Sequence, residues 1–198
     1  MMTNRMLRAT LTAFVAGLLV GGGGAAAQQE SARAESATGR LSITVDLSDR
    51  MLYVMRGDEV TREYRVAIGQ ERHPTPTGSF NVRRLIWNPR WVPPDAEWAR
   101  NRRAREPGDP RNPMGRVKIF FRAPDYYIHG TRETDSLGQA ESHGCIRMRN
   151  ADVIELARMV MEHGGERRSP GWFQRVINRV RNTQDVRLSQ PVPLRVRA

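Results

Sequence analysis

Residues 41–69 read LSITVDLSDRMLYVMRGDEVTREYRVAIG, and their apolar positions alternate. Leu41, Ile43, Val45 and Leu47 fall on one face of an extended segment with polar residues between them. The turn Ser48-Asp49-Arg50 leads into a second run, Met51 to Met55, and Gly57-Asp58 marks another tight turn. A third run follows from about Val60 to Ile68 and ends at Gly69. A period of two is the signature of half-buried strands, and turns this short join antiparallel neighbours. The stretch therefore predicts a three-stranded meander.

Working outward, the loop His73-Pro74-Thr75-Pro76-Thr77-Gly78 precedes a fourth predicted strand, Phe80 to Trp87. Regular alternation then stops over about residues 88–115, where Trp91 and Trp98 sit among prolines and charges. A connection this long in a small domain is usually a functional lid or a disordered segment, and two tryptophans favour the lid. Val117 to Phe121 and Tyr126 to Ile128 read as core strands. Asn150 or Asp152 can cap a helix over roughly Ala151 to His163, with Val153, Ile154, Leu156, Ala157 and Val160 on one side. A second helix is expected around Trp172 to Arg181, then an extended segment from Val186 to Val196. The fold class is mainly β, with one or two α-helices late in the chain.

The chain has 198 residues, enough for one domain with a full core. Residues 1–27 read as a signal peptide: Arg5 and Arg8, a short apolar stretch from Leu11 to Val20, four glycines, then Ala25-Ala26-Ala27. Residues 28–39 read as a flexible lead-in. The apolar stretch is short for a membrane span, so cleavage is expected to leave no stable span. The protein is expected to be exported, to the periplasm or cell envelope. Its formal net charge of +11 suits an anionic polymer. Lys118 is the only lysine among 32 basic residues. Export and the lack of a recognisable binding motif exclude nucleic acid as a partner.

Cys145 is the only cysteine, so an intramolecular disulfide is impossible. It sits in a dense run: His129-Gly130-Thr131, then Ser142-His143-Gly144-Cys145-Ile146-Arg147. A thiol becomes a strong nucleophile as the thiolate, which a nearby imidazole supplies. His129, at the end of a predicted strand, and His143, two positions from the sulfur, are both candidate bases, and residue physics does not rank them. Gly144 would let a substrate carbonyl approach the backbone, where consecutive N–H groups can receive an oxyanion. Arg147 would point the same way as Cys145 on a strand, either forking onto a substrate carboxylate or pairing beneath the site. A zinc site would need a fourth ligand that the motif lacks, so no metal is expected, and no organic cofactor either.

Ile128-His129-Gly130-Thr131 followed by Ser142-His143-Gly144-Cys145-Ile146-Arg147-Met148 resembles the signature of the L,D-transpeptidase (YkuD-type) catalytic domain. Thr75-Pro76-Thr77-Gly78, Asn112-Pro113-Met114-Gly115, and Asn150 with Asp152 match in order. The resemblance implies a sandwich of two mixed sheets over residues 40–198, with a lid at about 88–115 and a C-terminal helix and strand extension at about 166–198. It implies Cys145 as nucleophile and His129 as base, oriented by a carbonyl near Gly130. His143 would support the site, with an oxyanion hole in the backbone around Gly144. Ser142, Thr131 and Arg147 are expected to contact substrate.

The implied reaction is acyl transfer on peptidoglycan stem peptides. Cys145 attacks the bond before the D-alanine of a tetrapeptide, D-alanine leaves, and an amine resolves the thioester into a 3→3 cross-link. A lipoprotein lysine, a free D-amino acid or water are other acceptors. The alternatives are an L,D-carboxypeptidase, an inactive wall-binding protein of the same fold, and a papain-like peptidase. In a papain-like peptidase the histidine would follow the cysteine rather than precede it.

Overall fold

The alternation over residues 41–69 becomes β1 (Leu41–Asp46), β2 (Met51–Arg56) and β3 (Glu59–Arg65), paired antiparallel as a meander in the computed structural model, which describes residues 39–198. Leu41, Ile43 and Val45 are at most 1% exposed, which is the inward face their spacing predicts. The third run does not continue to Ile68 as one strand. It breaks after Arg65, where buried Val66 and Ala67 leave β2, and Ile68–Gly69 forms β4. The expected leader and all but the last residue of the expected lead-in lie outside the described residues. Among the described residues no helix is long and apolar enough to cross a membrane.

The remaining strands are β5 (Gly78–Trp87), β6 (Val117–Arg122), β7 (Tyr126–Thr131), β8 (Ala140–Ser142), β9 (Ile146–Arg149) and β10 (Gln184–Arg197). They make two sheets, as expected: eight strands in the order β3-β2-β1-β10-β5-β6-β7-β9, and the pair β4-β8. The large sheet is mixed, with β1–β10 and β7–β9 parallel and its other pairs antiparallel. The small sheet joins it through Ala67 and Arg147, which exchange backbone hydrogen bonds of 3.0 and 2.9 Å. That junction brings the loop after β4 beside the start of β9.

The C-terminal segment differs most from its sequence reading. Expected only as an extended segment closing the chain, it becomes β10 and fills the centre of the large sheet, parallel to β1 and antiparallel to β5. Pro191 argues against a central strand, because proline cannot donate to the ladder. It is accommodated in the break of register between Arg187 and Val192, while Val192, Leu194 and Val196 point into the core.

Helix α1 (Asn150–His163) buries Val153, Leu156, Ala157, Val160 and Met161, a stripe of helical period, against β6, β7 and β9. Ile154 is only partly buried beside that stripe. Neither Asn150 nor Asp152 caps the helix: the cap position is Arg149, with no side-chain hydrogen bond. The Asn150 amide is used instead to tie two loops together, donating to the Thr131 carbonyl at 3.0 Å and accepting the Arg116 N–H at 2.9 Å. Helix α2 (Pro170–Asn178) starts two residues earlier than its predicted span. Ser169 caps it, accepting the Trp172 N–H at 3.3 Å, and Pro170 occupies the first turn, where no N–H is missed. Trp87, fully buried, meets Trp172 edge-on at 6.0 Å and donates its indole N–H to Met161 Sδ at 3.2 Å.

Leu194 is 1% exposed and stands between Ile43 of β1 and Phe80 of β5. Leu194→Ala is expected to cost about 2–5 kcal/mol. A urea midpoint that shifts by less than the equivalent of 1 kcal/mol would show that β10 is not central to the core.

Candidate active site

Strand β7 lies between β6 and β9, and the pairing sets His129 directly opposite Lys118 on one side and Arg147 on the other. Such opposed residues have Cβ atoms roughly 4.5–5.5 Å apart. Side chains alternate along a strand, so Ile128 turns inward with Ile146 and Met148, all 0% exposed. The opposite face then carries Lys118 and Phe120 of β6, Tyr127 and His129 of β7, and Arg147 of β9. Cys145 immediately precedes β9, beside Tyr127 one step back in register. It is not within a strand, as the sequence suggested. Gly144 at φ +99° breaks the extension, and a Cβ there would lie 2.8 Å from the Tyr126 ring.

His129 is buried, and its Nδ1–H donates to the Gly130 carbonyl at 2.8 Å. A carbonyl only accepts, so the proton is on Nδ1 and Nε2 carries the lone pair. Burial drives the imidazole pKa down to about 3, helped by the charges of Arg147 and Lys118 and opposed by the Gly130 and Pro113 carbonyls. This histidine is a neutral base with a set tautomer. Gly130 itself must be glycine, because a Cβ would lie 3.2 Å from the Arg116 nitrogen and collide with the Asn150 side chain.

The Cys145 thiol is half-buried and donates to the Asp125 carbonyl at 3.3 Å. Burial pushes its pKa up, against the pull of Tyr127 hydrogen bonds and of the Lys118 and Arg147 charges. The resting pair is therefore neutral thiol and neutral imidazole, not the ionised sulfur that nucleophilic chemistry alone suggests. The turn holding the thiol is braced by Ser142, 1% exposed. Its Oγ accepts the Gly144 N–H at 3.1 Å and donates to the Cys145 carbonyl. Ser142 thus braces the turn, and the Gly144 N–H is already committed.

The other expected residues separate by environment. Thr131 is buried, with its hydroxyl accepting the Glu133 N–H at 3.0 Å, so it shapes the turn after β7. Arg147 pairs with Glu133 at 3.0 Å, its own side chain 18% exposed and that of Glu133 73%. His143 stacks on Trp98, with ring centroids 3.9 Å apart and planes 15° apart, and lies 5.0 Å from the His73 ring. Burial lowers its pKa, as do His73, Arg147 and Arg102. Of the two candidate bases, His129 shares the sheet face of the thiol's neighbours, whereas His143 is engaged by the long loop.

That loop, residues 88–115, is ordered rather than slack. Trp91 and Arg105 exchange backbone hydrogen bonds of 2.9 and 2.8 Å. Asn112 donates to the Pro89 and Glu106 carbonyls at 2.8 and 3.2 Å. A hollow of about 540 Å³, lined by Pro93, Pro94, Glu97, Arg100 and Arg102 among others, belongs to the loop itself and not to the thiol.

Sequence reading missed Tyr127 and Lys118, which complete the face around the sulfur. The one available signal was that Lys118 is the only lysine in an arginine-rich chain. Among the described residues no group of three or more His, Cys, Asp or Glu could hold a metal ion.

The L,D-transpeptidase catalytic domain family, YkuD, matches residues 40–181. A Bacillus licheniformis protein carrying the name L,D-transpeptidase YkuD is 35% identical over 118 residues, covering 60% of this chain and 59% of its own length. The Escherichia coli K12 protein described as a probable L,D-transpeptidase, YbiS, is 33% identical over 118 residues, covering 56% of this chain and 38% of its own. The chain thus spans less than two thirds of these relatives. A mutant of an Enterococcus faecium L,D-transpeptidase superposes with a TM-score of 0.51 at 16% identity, covering 80% of this chain and 50% of that one. At that identity the likeness shows the fold.

A histidine with an ordinary pKa of 6.5 that is held near 3 in the fold contributes its full stability above pH 6.5 and loses it as pH falls toward 3. Between pH 5.5 and 4.5 the wild type should lose about 1.4 kcal/mol per pH unit more than His129→Gln. Urea unfolding across that range measures the difference, and parallel slopes would contradict a buried neutral imidazole.

Proposed function

The chain belongs to the L,D-transpeptidase catalytic domain family, and from that premise we propose that it is an exported peptidoglycan L,D-transpeptidase acting through Cys145. The observation that carries this reading is the neutral His129, tautomer set by Gly130, on the sheet face that Cys145 enters. A base that keeps its lone pair at any ordinary pH can accept the thiol proton at the moment of attack.

In that reaction Cys145 Sγ attacks the carbonyl preceding the D-alanine of a tetrapeptide stem, while its proton passes to His129 Nε2. The oxyanion is received by the Cys145 N–H, because Ser142 already holds the Gly144 N–H. As the tetrahedral centre collapses, the C–N bond breaks and the imidazolium returns its proton to the departing D-alanine amine. A thioester remains on Cys145. The side-chain amine of a second stem then attacks it, losing a proton to Nε2, and the new amide forms as the thiolate leaves and is reprotonated. The brief imidazolium lies between Lys118 and Arg147, so its cost favours rapid return of the proton. His143, stacked under Trp98, holds the loop against the site rather than moving protons.

The basic character of the chain supports an anionic wall polymer as partner. The leader reading of residues 1–27 supports export to the periplasm or cell envelope. The amine that resolves the thioester is a stem peptide in this reading; a lipoprotein lysine or free D-amino acid would enter by the same step.

Incubation with disaccharide-tetrapeptide, followed by mass spectrometry, is expected to give a dimer lacking one D-alanine. Tripeptide without dimer would instead identify an L,D-carboxypeptidase. Cys145→Ala should abolish either product, and His129→Gln should lower kcat by about 10²–10⁴. His143→Ala should lower it far less. A carbapenem should add once to the intact protein and not to Cys145→Ala; product from the Cys145→Ala variant would end the reading.

A further inference from the structure

We propose that Lys118 is the subsite for the terminal carboxylate of the donor stem peptide, its ammonium ion-pairing with the D-alanine that will leave. The inference rests on the acyl-transfer reading above and adds the group that selects the donor's end.

Three observations on the sheet face carry it. Lys118 stands directly opposite His129 in the pairing of β6 with β7, so its side chain rises on the face that holds Tyr127 and the thiol's approach. Its Nζ lies 3.9 Å from the centre of the Tyr127 ring and 5.2 Å from that of Phe120. Among the described residues it makes no ion pair: all nine carboxylate pairs there are made by arginines. Aromatic faces offset part of the desolvation of an ammonium, but a half-buried cation without an anion is costly to keep. Burial accordingly lowers its pKa.

The donor supplies the missing anion in the right place. In a tetrapeptide the terminal carboxylate is one residue past the scissile carbonyl, a reach of about 3.3–3.6 Å along an extended chain. Once the carbonyl is over Cys145, the carboxylate must fall among the charges that border the sulfur. Those charges are Lys118 and Arg147, and Arg147 is already paired with Glu133. A compact ammonium with three rotatable donors also suits a single carboxylate in the narrow space over an aromatic ring, where a planar guanidinium would need an in-plane approach. In a chain that otherwise uses arginine, this is the position where lysine stands.

The test compares a tetrapeptide stem with its C-terminal carboxamide, following release of D-alanine or D-alaninamide by mass spectrometry. The wild type should favour the acid by about 10- to 100-fold in kcat/KM, the range of a charge-assisted contact, with the difference mainly in KM. Lys118→Met should remove that preference, and Lys118→Arg should retain part of it. Losing the ammonium should also raise the Cys145 midpoint for iodoacetamide alkylation, an effect common to both peptides that leaves their ratio as the readout of the subsite. Equal losses on acid and amide, or a preference that survives Lys118→Met, would each overturn the subsite. If the wild type releases nothing from either peptide, the acyl-transfer reading falls on its own. Calorimetric binding of the same two peptides then decides the subsite: acid preference lost in Lys118→Met supports it, and equal binding of acid and amide overturns it.

Discussion

The structure depends on one register, Lys118 opposite His129 opposite Arg147, across three neighbouring strands. It places an imidazole between two cations in a buried position and gives its Nδ1 proton a carbonyl to hold. Burial acts most strongly against protonation and the two cations add to it, while the Gly130 and Pro113 carbonyls oppose them. The same surroundings act on the thiol in the opposite sense, since burial disfavours the thiolate while the two cations favour it. Burial thus holds both members of the pair in their neutral forms at rest. A single-residue slip of β9 against β7 would turn Arg147 inward and Ile146 outward, exposing an apolar residue and burying a charge.

Holding that register requires support from parts of the chain far apart in sequence. The Asn150 amide bridges the end of β7 to the segment before β6, where Gly115 and Gly130 approach too closely for any side chain between them. On the other side, Thr75 Oγ1 accepts the Gly69 N–H at 2.8 Å, which folds the loop after β4 back so that the Pro74 carbonyl faces Gly144. Ser142 then closes the turn that presents the sulfur. Much of the family motif is in this light a set of braces: its serine, threonine and glycines shape the turns.

The long loop is tied to the site by aromatic contact. Trp98 lies flat on His143, two residues before the sulfur. The base of the loop is anchored independently. Asn88, in the left-handed region at φ +47°, donates to the carbonyls of Val176 and Asn182 at 2.8 and 3.0 Å, near the end of α2. Arg116 adds a 2.6 Å bond to Ile177. These contacts satisfy carbonyls that a helix end leaves unpaired. The C-terminal helix therefore supports the loop whose Trp98 meets His143.

Much of this was legible in the residues alone. The meander over residues 41–69, the helix from about 151 to 163 and the run around Cys145 follow from local periodicity and from chemistry that clusters within nineteen positions. Such signals are short-range, because a strand's alternation and a motif's spacing are properties of adjacent residues. The place of β10 was not legible: Pro191 and Pro193 argue against a central strand, and only its partners, roughly a hundred residues or more away, make it central. The choice between His129 and His143 was equally hidden, since it turns on which ring Trp98 covers and which carbonyl faces Nδ1. The neutrality of the thiol and imidazole, and the solitary ammonium beside them, come from burial and from cross-strand neighbours. Those are set when distant strands pair, and no local pattern encodes them.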